Sequence, residues 1–441
     1  MATASSRLTA SMARVAPWRY LGRVSEVKGL NIVAEGLPLA VGEMVVVDTD
    51  PPVEAEVVGF VSEHRTFLLP YDELSGVRAG TPVWSQGRPA SVPVGDFVLG
   101  RVLDGLGRPL DGGHGVLGPH RPLSRKPLSP LLRRPVVEPL STGVRAIDGL
   151  LTLGRGQRVG IFAGAGVGKT TLLQMVLRGI QTPVAVLALV GERGREVAEF
   201  CQSLDPSTRS RTVVIAATSE APALMRLRVS EVAMTIAENF RDRGIDVLLV
   251  FDSLTRVAMA QREVGLQSGE IASVRGYTPS VFHMLPRLLE RAGRTKLGSI
   301  TGLYTVLLDS DDPNDAVGDA VRGILDGHYY LSRDLAEGHH FPAIDIPRSL
   351  SRIMPDLVDP DHDQCATMAR QALARLERSK DLISLGAYQP GTDRDLDFAL
   401  DKERALRQWL DQEVSDWTPP QESLKRLHQI LSDEEVLDRD E

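Results

Sequence analysis

Cysteines, long apolar runs and surplus positive charge are all scarce in this chain of 441 residues. The two cysteines, Cys201 and Cys365, are too few for a disulfide framework or a multi-cysteine metal site, and they favour a reducing cytosol. The longest apolar run, Val184 to Val190, has seven residues, whereas a membrane-spanning helix needs roughly 20. With 42% hydrophobic and 24% charged residues, the composition indicates a soluble globular chain of several domains that does not cross a bilayer.

The charge balance excludes a bulk attraction for nucleic acid or anionic lipid. There are 50 Lys and Arg against 58 Asp and Glu, a formal net charge of −8, so any bound anion must be held by a local site. Before Glu26, the first acidic residue, all the charged residues are arginines: Arg7, Arg14, Arg19 and Arg23. This start lacks the apolar core of a secretory signal, so residues 1–17 are predicted to form a flexible or partner-binding basic tail.

Turn and strand patterns divide the chain into three parts. Residues 18–92 contain five or six short β-type runs broken by Gly and Pro, which predicts a small N-terminal β-barrel. The turn-rich segment GRVLDGLGRPLDG at 100–112 indicates a domain junction. Residues 93–350 alternate apolar strands with amphipathic helices and predict an α/β domain with a mostly parallel sheet. Residues 351–441 predict a helical C-terminal domain with a solvated acidic end at 432–441.

A phosphate-binding loop is the strongest local signal. It follows the apolar strand 158–162 and precedes a helical pattern, so its glycines would turn backbone N–H groups toward an anion at the helix N-terminus. Lys169 would contact the β- and γ-phosphates of ATP, and the Thr170 hydroxyl would bind Mg²⁺. Ala163 stands where the usual pattern has Gly, which predicts ordinary strand-end geometry there. The predicted nucleotide-binding residues are Gly164, Ala165, Gly166, Val167, Gly168, Lys169, Thr170 and Thr171.

Two further apolar strands end in polar residues that would reach the same sheet edge. Asp252 ends the run VLLVFD and is predicted to hold Mg²⁺. Glu192 and Arg193 follow the strand 184–190. Phosphoryl transfer requires a positioned water and neutralised charge, so Glu192 is predicted to polarise the water and Arg193 to contact the γ-phosphate.

These segments resemble the family of rotary-type hexameric ATPases, which includes the catalytic subunits of ATP synthases and the type III protein-export ATPases of flagella and injectisomes. The resemblance extends from about Tyr20 to Tyr388. It is closest to the export ATPases, because the segments FAGAGVGKT, MAQRE and HFPAIDI are similar to the corresponding motifs of those enzymes. The segments that carry it are residues 100–112, 139–173, 190–200, 252–263, 276–282, 324–352 and 385–393.

The resemblance implies a RecA-like central domain and several roles that the residues alone do not indicate. Arg352 is expected to be an arginine finger that acts on the neighbouring subunit's site. Phe341 is expected to pack on adenine, and Tyr388 to provide a second contact on that side. The segments 269–275 and 309–315 depart from the family spelling, and both are expected to face the ring pore or a partner.

The leading prediction is a cytoplasmic Mg-dependent ATPase that forms a homohexamer at the inner-membrane export apparatus and energises type III export. The expected partners are a peripheral-stalk regulator, a central-stalk-like protein, export chaperones with their substrates, and the export gate. GAY at 386–388 leans toward a flagellar rather than an injectisome system.

Three alternatives stay open at the level of sequence. One is a catalytic subunit of a proton-translocating ATP synthase, and another is a non-catalytic nucleotide-binding subunit, which typically lacks a residue equivalent to Glu192. The third is an RNA-translocating hexameric helicase. Residues 17–90 contain six Lys and Arg against ten Asp and Glu, a net charge of −4, which opposes nucleic-acid binding by the barrel.

Overall fold

A computed structural model describes residues 21–115, 117–123, 127–308 and 315–432. The predicted basic tail at 1–17 and the acidic end at 433–441 lie outside these residues, as do positions 309–314 of the divergent acidic loop. Within the described ranges, no helix combines the length and the apolar character that a membrane span requires.

The N-terminal part is a closed antiparallel barrel, which confirms the sequence prediction. Its six strands are β1 Leu21–Lys28, β2 Asn31–Glu35, β3 Glu43–Val47, β4 Val53–Ser62, β5 Arg65–Pro70 and β6 Pro82–Pro89. They neighbour one another in the order β1-β2-β5-β4-β3-β6, and β6 pairs with β1 to close the barrel. Small and branched side chains fill the interior because every second residue of a strand points inward. They include Val24, Ile32, Val45, Val47, Val57, Leu68 and Val83.

The central domain is built on a nine-stranded, mostly parallel sheet. The strands after the barrel are β7 Ser91–Pro93, β8 Val102–Leu103, β9 His120–Pro122, β10 Arg158–Ala163, β11 Val184–Glu192, β12 Thr212–Thr218, β13 Val247–Asp252, β14 Gly293–Arg294, β15 Ser299–Leu307, β16 Gly327–Leu331 and β17 Ile344–Ser351. The sheet order is β17-β16-β10-β15-β13-β11-β12-β8, with β14 paired to β15, while β7 and β9 form a separate two-stranded sheet.

Helices cover both faces of this sheet and form the C-terminal domain. They are α1 Arg145–Leu150, α2 Lys169–Gly179, α3 Gly194–Ser203, α4 Pro206–Ser210, α5 Ala223–Asp242, α6 Leu254–Gln267, α7 Pro279–Leu289, α8 Ala316–Arg322, α9 Arg333–Glu337, α10 Pro360–Ser384, α11 Arg394–Leu410 and α12 Pro420–Leu431. The predicted C-terminal helical domain is thus confirmed as α10, α11 and α12. Short 3₁₀ helices lie at Asp96–Val98, Pro130–Leu132, Val274–Gly276 and Met354–Asp356.

Strand β11 shows why the sheet needs helices on both faces. Its nine residues are all buried, and alternate side chains belong to two different cores. Val186 and Ala188 pack with α5, α6 and α7, whereas Leu187 and Leu189 share a core with α2 and the C-terminal helices. The C-terminal domain is therefore packed on the same face of the sheet as the helix that follows the phosphate loop.

Two edge strands differ from the sequence interpretation. The turn-rich segment 100–112 contributes β8, which pairs in parallel with β12, so this segment is part of the sheet as well as a junction. Strand β17 runs antiparallel to β16, with Gly327 opposite Ser351. A strand of two residues carries no periodic signal, and β17 exposes Pro347 and Arg348 in its middle, so neither reads as a strand in sequence.

A buried polar cluster joins the barrel to the central domain. Arg228 on α5 donates from Nε to Glu56 Oε2 at 3.1 Å and to the Tyr71 hydroxyl at 3.1 Å, and its Nη2 also bonds Glu56. The Tyr71 hydroxyl donates to Glu56, whose residue is 4% exposed. Arg228 also pairs with Glu231 on its own helix, so the two acids and the hydroxyl satisfy its buried guanidinium.

Candidate active site

The phosphate loop lies at the carboxyl edge of the parallel sheet. β10 ends at Ala163, which pairs with Leu307 of β15, and α2 begins at Lys169. Gly166 and Gly168 have φ values of 77° and 87°, a conformation that favours glycine and lets the chain turn tightly between strand and helix. The helix N-terminus therefore faces the space above the sheet edge, where a phosphate group would be stabilised.

Lys169 and two carboxylates meet in one cavity of about 490 Å³, which Thr170 also lines. Lys169 Nζ lies 2.5 Å from Asp252 Oδ1 and 3.8 Å from Glu192 Oε1. Asp252 also accepts a hydrogen bond of 2.9 Å from the Thr305 hydroxyl. Asp252 and Glu192 end the neighbouring strands β13 and β11, so the parallel register brings together residues that lie 60 positions apart.

Burial dominates the electrostatics of Glu192. The residue is 7% exposed, and this desolvation, together with the nearby Asp252 carboxylate, raises its pKa to about 7 despite Lys169. Its Oε1 atom is buried and makes no hydrogen bond with the described residues, although two cations lie close by. A carboxylate with a pKa near neutrality and an unused acceptor is suited to accept a proton from a water molecule.

Sequence reasoning missed Arg256, which lies beside this carboxylate. Its Nε is 3.3 Å from Glu192 Oε1 and is itself buried without a hydrogen bond. Helix α6 begins at Leu254, immediately after the strand that carries Asp252. The position of Arg256 in the first turn of that helix was the available signal, because a residue there must lie at the same sheet edge.

The structure does not bring Arg193 into the cavity. Its side chain is 82% exposed, and the nearest carboxylate oxygen is Glu196 Oε1, 3.9 Å away. Arg193 is the residue that precedes α3, so it stands at the rim while Glu192 points inward. Its contact with a γ-phosphate stays a prediction.

Arg352 lies at the opposite edge of the sheet from its own phosphate loop. It follows β17, and Ser351 is level with Gly327, which pairs with Val159 at the start of β10. Val159 is four residues before Ala163, a separation of about 13 Å at the usual rise per residue in a strand. The exposed guanidinium donates to the Arg322 carbonyl at 3.2 Å. Within one chain, Arg352 therefore cannot reach Lys169.

Phe341 lines a second cavity, of about 730 Å³, on the other side of the phosphate loop. A Cβ atom added to Gly168 would lie 3.3 Å from the Phe341 ring, so the ring packs directly on this loop. The segment 411–416, which sequence reasoning missed, forms another wall, and Thr171 and Arg178 of α2 complete it. No periodic or motif signal marks that segment, because it is a short connection after α11.

Tyr388 is not among the residues that line this cavity. It lies in the connection between α10 and α11, where its hydroxyl donates to Asp397 Oδ1 at 2.8 Å and to the Asp393 carbonyl at 3.1 Å. The structure thus brings Phe341, but not Tyr388, to the side of the phosphate loop where the adenine base of the nucleotide is expected.

The donor set at the sheet edge fits a hard cation such as Mg²⁺. Thr170 and Asp252 line one cavity and offer oxygen atoms, and Glu192 adds a buried carboxylate whose Oε1 lacks a hydrogen bond. Lys169 is the cation that Asp252 contacts in this structure. Few protein ligands are expected, since Mg²⁺ is usually shared with substrate phosphates and water.

A phosphate loop on a parallel sheet, with a lysine, an acid at the end of a neighbouring strand and a raised-pKa glutamate, defines a P-loop nucleoside triphosphatase. Residues 143–351 match the nucleotide-binding domain of the ATP synthase alpha/beta family, and residues 358–429 match the C-terminal domain of the type III secretion ATPase EscN.

Curated relatives match nearly the whole chain. The flagellum-specific ATP synthase of Pseudomonas aeruginosa is 46% identical over 420 residues, which cover 93% of each chain. The type 3 secretion system ATPase of Xanthomonas euvesicatoria is 45% identical over 431 residues, which cover 97% of each chain. The structure of the assembled ATPase EscN from the type III secretion system of enteropathogenic E. coli has a TM-score of 0.89 at 44% identity and covers 93% of this chain and 100% of EscN.

The chain therefore belongs to the family of flagellar and type III secretion ATPases, and it is an ATPase. The match of residues 358–429 to the secretion-ATPase C-terminal domain favours this branch over the ATP synthase catalytic subunits that the sequence left open.

Proposed function

We propose that this chain hydrolyses ATP with Mg²⁺ at the carboxyl edge of the sheet and uses the energy for type III protein export. In this role it helps to release export substrates from their chaperones and to deliver them to the export gate. The observation that carries the proposal is the meeting of Lys169, Asp252 and Glu192 in one cavity of a chain that matches a type 3 secretion system ATPase over 97% of its length.

The residues divide the work of hydrolysis. The backbone N–H groups of 164–170 and the Lys169 ammonium bind the β- and γ-phosphates, and Lys169 leaves Asp252 to do so. Asp252 and Thr170 would then be free to hold Mg²⁺, which would supply positive charge to the phosphate oxygens. Glu192 orients a water toward the γ-phosphate and accepts its proton, while Arg256 fixes the carboxylate. Phe341 binds the base on the far side of the loop.

The position of Arg352 supports a ring in which each site is completed by a neighbour. An arginine finger is worth about 10³–10⁵ in rate, and Arg352 cannot supply it to its own site because it lies at the opposite sheet edge. We propose a homohexamer, in line with the relative EscN, whose structures are described as assembled and as a complex with the central stalk EscO.

Further contacts follow from the same proposal. A central-stalk-like protein would occupy the ring pore, and a peripheral-stalk regulator would bind the basic tail at 1–17. The ring would associate with the inner-membrane export apparatus through protein contacts and without nucleic acid, consistent with the net charge of −4 over residues 17–90.

Replacing Glu192 by Gln tests the proposed chemistry. The amide keeps the size of the side chain but cannot accept the proton, so turnover of the purified protein should fall about 10²-fold or more. Binding of a fluorescent ATP analogue should stay within a few-fold of the original, because the phosphate-binding groups are unchanged. The matched control is Glu220→Gln, which alters an exposed carboxylate after β12 and should leave both quantities unchanged.

The same variant tests the export role when it replaces the chromosomal gene. Cells that carry Glu192→Gln should lose export of flagellar or secreted type III substrates, whereas cells with Glu220→Gln should export normally. Normal hydrolysis by the variant would refute Glu192 as the base, and normal export by a hydrolysis-dead variant would refute the coupling.

A further inference from the structure

The segment 411–416 of the C-terminal domain is fastened to the nucleotide-binding domain around the Phe341 cavity. We refer to it as the roof segment, because it forms a wall of this cavity together with Phe341, Thr171 and Arg178. The Gln412 backbone N–H donates to the Phe341 carbonyl at 2.6 Å, and Asp411 Oδ1 accepts from the Phe341 backbone N–H at 3.0 Å. These two hydrogen bonds therefore connect the roof segment to the Phe341 backbone.

Arg145 is the buried cation at the centre of this fastening. It is 9% exposed, and it donates from Nε to the Trp409 carbonyl at 2.7 Å and from Nη2 to the Asp411 carbonyl at 2.5 Å. These carbonyls belong to the end of α11, where unpaired acceptors and the helix dipole favour a positive charge. Arg145 therefore fixes the point at which the chain leaves α11 and enters the roof segment.

Gln412 completes the connection from the other side. Gln412 is 2% exposed, and its side-chain Oε1 accepts a hydrogen bond from the Arg145 backbone N–H at 2.9 Å. Its Nε2 donates to the carbonyls of Gly143 and Asp416 at 2.8 and 3.1 Å. The loop that carries Gly143 is itself pressed against α2, since a Cβ atom added to Gly179 would lie 1.8 Å from the Thr142 carbonyl oxygen. The roof segment is thus held in register with the helix that begins at the phosphate loop.

We propose that Arg145 and Gln412 are positioning residues that hold the roof segment over the base of the nucleotide and so set base-dependent affinity. Neither residue lines the cavity that contains Lys169, Glu192 and Asp252. The inference rests on the proposed ATPase function. It adds that Arg145 and Gln412 fix the point at which α11 leads into the roof segment.

The test compares ligands with and without a base, because a purely structural role would affect both equally. Calorimetric dissociation constants are measured for MgADP and for magnesium pyrophosphate with the original protein, Arg145→Met, Arg145→Lys and Gln412→Leu. Loss of the charged hydrogen bonds in Arg145→Met should weaken MgADP about tenfold to a hundredfold and change pyrophosphate affinity less than about twofold. Arg145→Lys keeps the charge and should recover part of the MgADP affinity.

The matched control is Arg404→Met, which removes an exposed arginine from the same helix, α11. It should leave both dissociation constants unchanged. For ATP hydrolysis, Arg145→Met should raise KM about tenfold or more with a kcat change of less than about threefold. Equal losses for MgADP and pyrophosphate, or no loss for either, would overturn the proposal.

The other two variants test the same proposal. If Arg145→Met does not fold, Arg145→Lys and Gln412→Leu carry the same comparison. Failure of this inference differs from failure of the proposed function, which would appear as absence of ATP hydrolysis in the original protein or as full hydrolysis by Glu192→Gln.

Discussion

Glu192 is the residue whose environment most directly prepares it for chemistry. A free glutamate is ionised at neutral pH, but burial and the Asp252 carboxylate raise the pKa of this one to about 7. A base is most effective when its pKa lies near the working pH, because it is then both available and strong enough to take the proton. The same cavity holds Lys169, whose positive charge limits the rise in the pKa.

This pKa predicts the pH dependence of the enzyme. Glu192 must be ionised to act as a base, so kcat/KM should fall about tenfold per pH unit below about pH 7 and level off above it. The quantity kcat/KM is the one to measure, from pH 5.5 to 8.5, because it reports groups of the free enzyme. An activity that does not change between pH 6 and 8 would contradict the assignment of Glu192 as the base.

At the scale of elements, helix α5 connects the catalytic edge to the barrel. It begins at Ala223, shortly after Ser219, whose N–H donates to the Glu192 carbonyl at 3.0 Å. One and a half turns later it carries Arg228 into the buried cluster with Glu56 and Tyr71 of the barrel. Helix α5 thus connects the loop that contacts Glu192 to the N-terminal barrel.

Arg228→Met tests how strongly this junction is held. The substitution leaves the Glu56 carboxylate buried without its cation, which should lower the free energy of unfolding by about 3–5 kcal/mol in urea denaturation. Adding Glu56→Gln should recover part of that loss, because the uncompensated charge is removed. An Arg426→Met control breaks an exposed pair with Glu422 and should cost under about 1 kcal/mol. Equal effects of Arg228→Met and Arg426→Met would contradict a buried, charge-dependent junction.

At the scale of the whole molecule, the antiparallel edge strand β17 places Arg352 far from the phosphate loop of its own chain. It carries Arg352 to the amino edge of the parallel sheet, while the phosphate loop opens at the carboxyl edge. A finger placed there can act only on another subunit. The proposed ring fits this placement, because a closed ring gives each site one neighbour and leaves no unpaired end.

Mixing two inactive variants tests this sharing of residues. Rings of Arg352→Ala should lack the finger and rings of Glu192→Gln should lack the base, so each alone should turn over at least about 10²-fold slower than the original. In mixed rings, an Arg352→Ala subunit beside a Glu192→Gln subunit regains a complete site, and phosphate release should rise well above that of either parent. No recovery after mixing and reassembly would place the finger within the chain's own site or elsewhere.

Much of the fold could be predicted from local pattern alone. Strand β11 is a continuous apolar run from Val184 to Val190, and α5 and α10 show helical periodicity, so their existence and type follow from side-chain hydrophobicity. The phosphate loop was equally readable, because tight turns require glycine at positions such as Gly168, and a lysine must follow to meet phosphate. These features depend on neighbours in sequence, which the sequence displays directly.

Other features depended on contacts between distant parts of the chain. The roof segment at 411–416 gains its place from packing, and no local pattern distinguishes it from an ordinary connection. The first-turn position of Arg256 indicates the sheet edge, but only the register of β13 and β11 brings it beside Glu192. Likewise, only the tertiary structure packs Phe341 on Gly168, places Tyr388 against Asp397 and leaves the Arg193 side chain exposed.

The sequence by itself determined the chemistry available to this protein: a phosphate-binding loop, two strand-end acids and a barrel with a net negative charge. The tertiary structure alone decided which groups share a cavity, how far burial raises the pKa of Glu192, and on which edge Arg352 lies. The reason is physical. Residue type fixes what a side chain can donate, accept or hold, whereas desolvation, register and strand direction arise only when distant segments pack together.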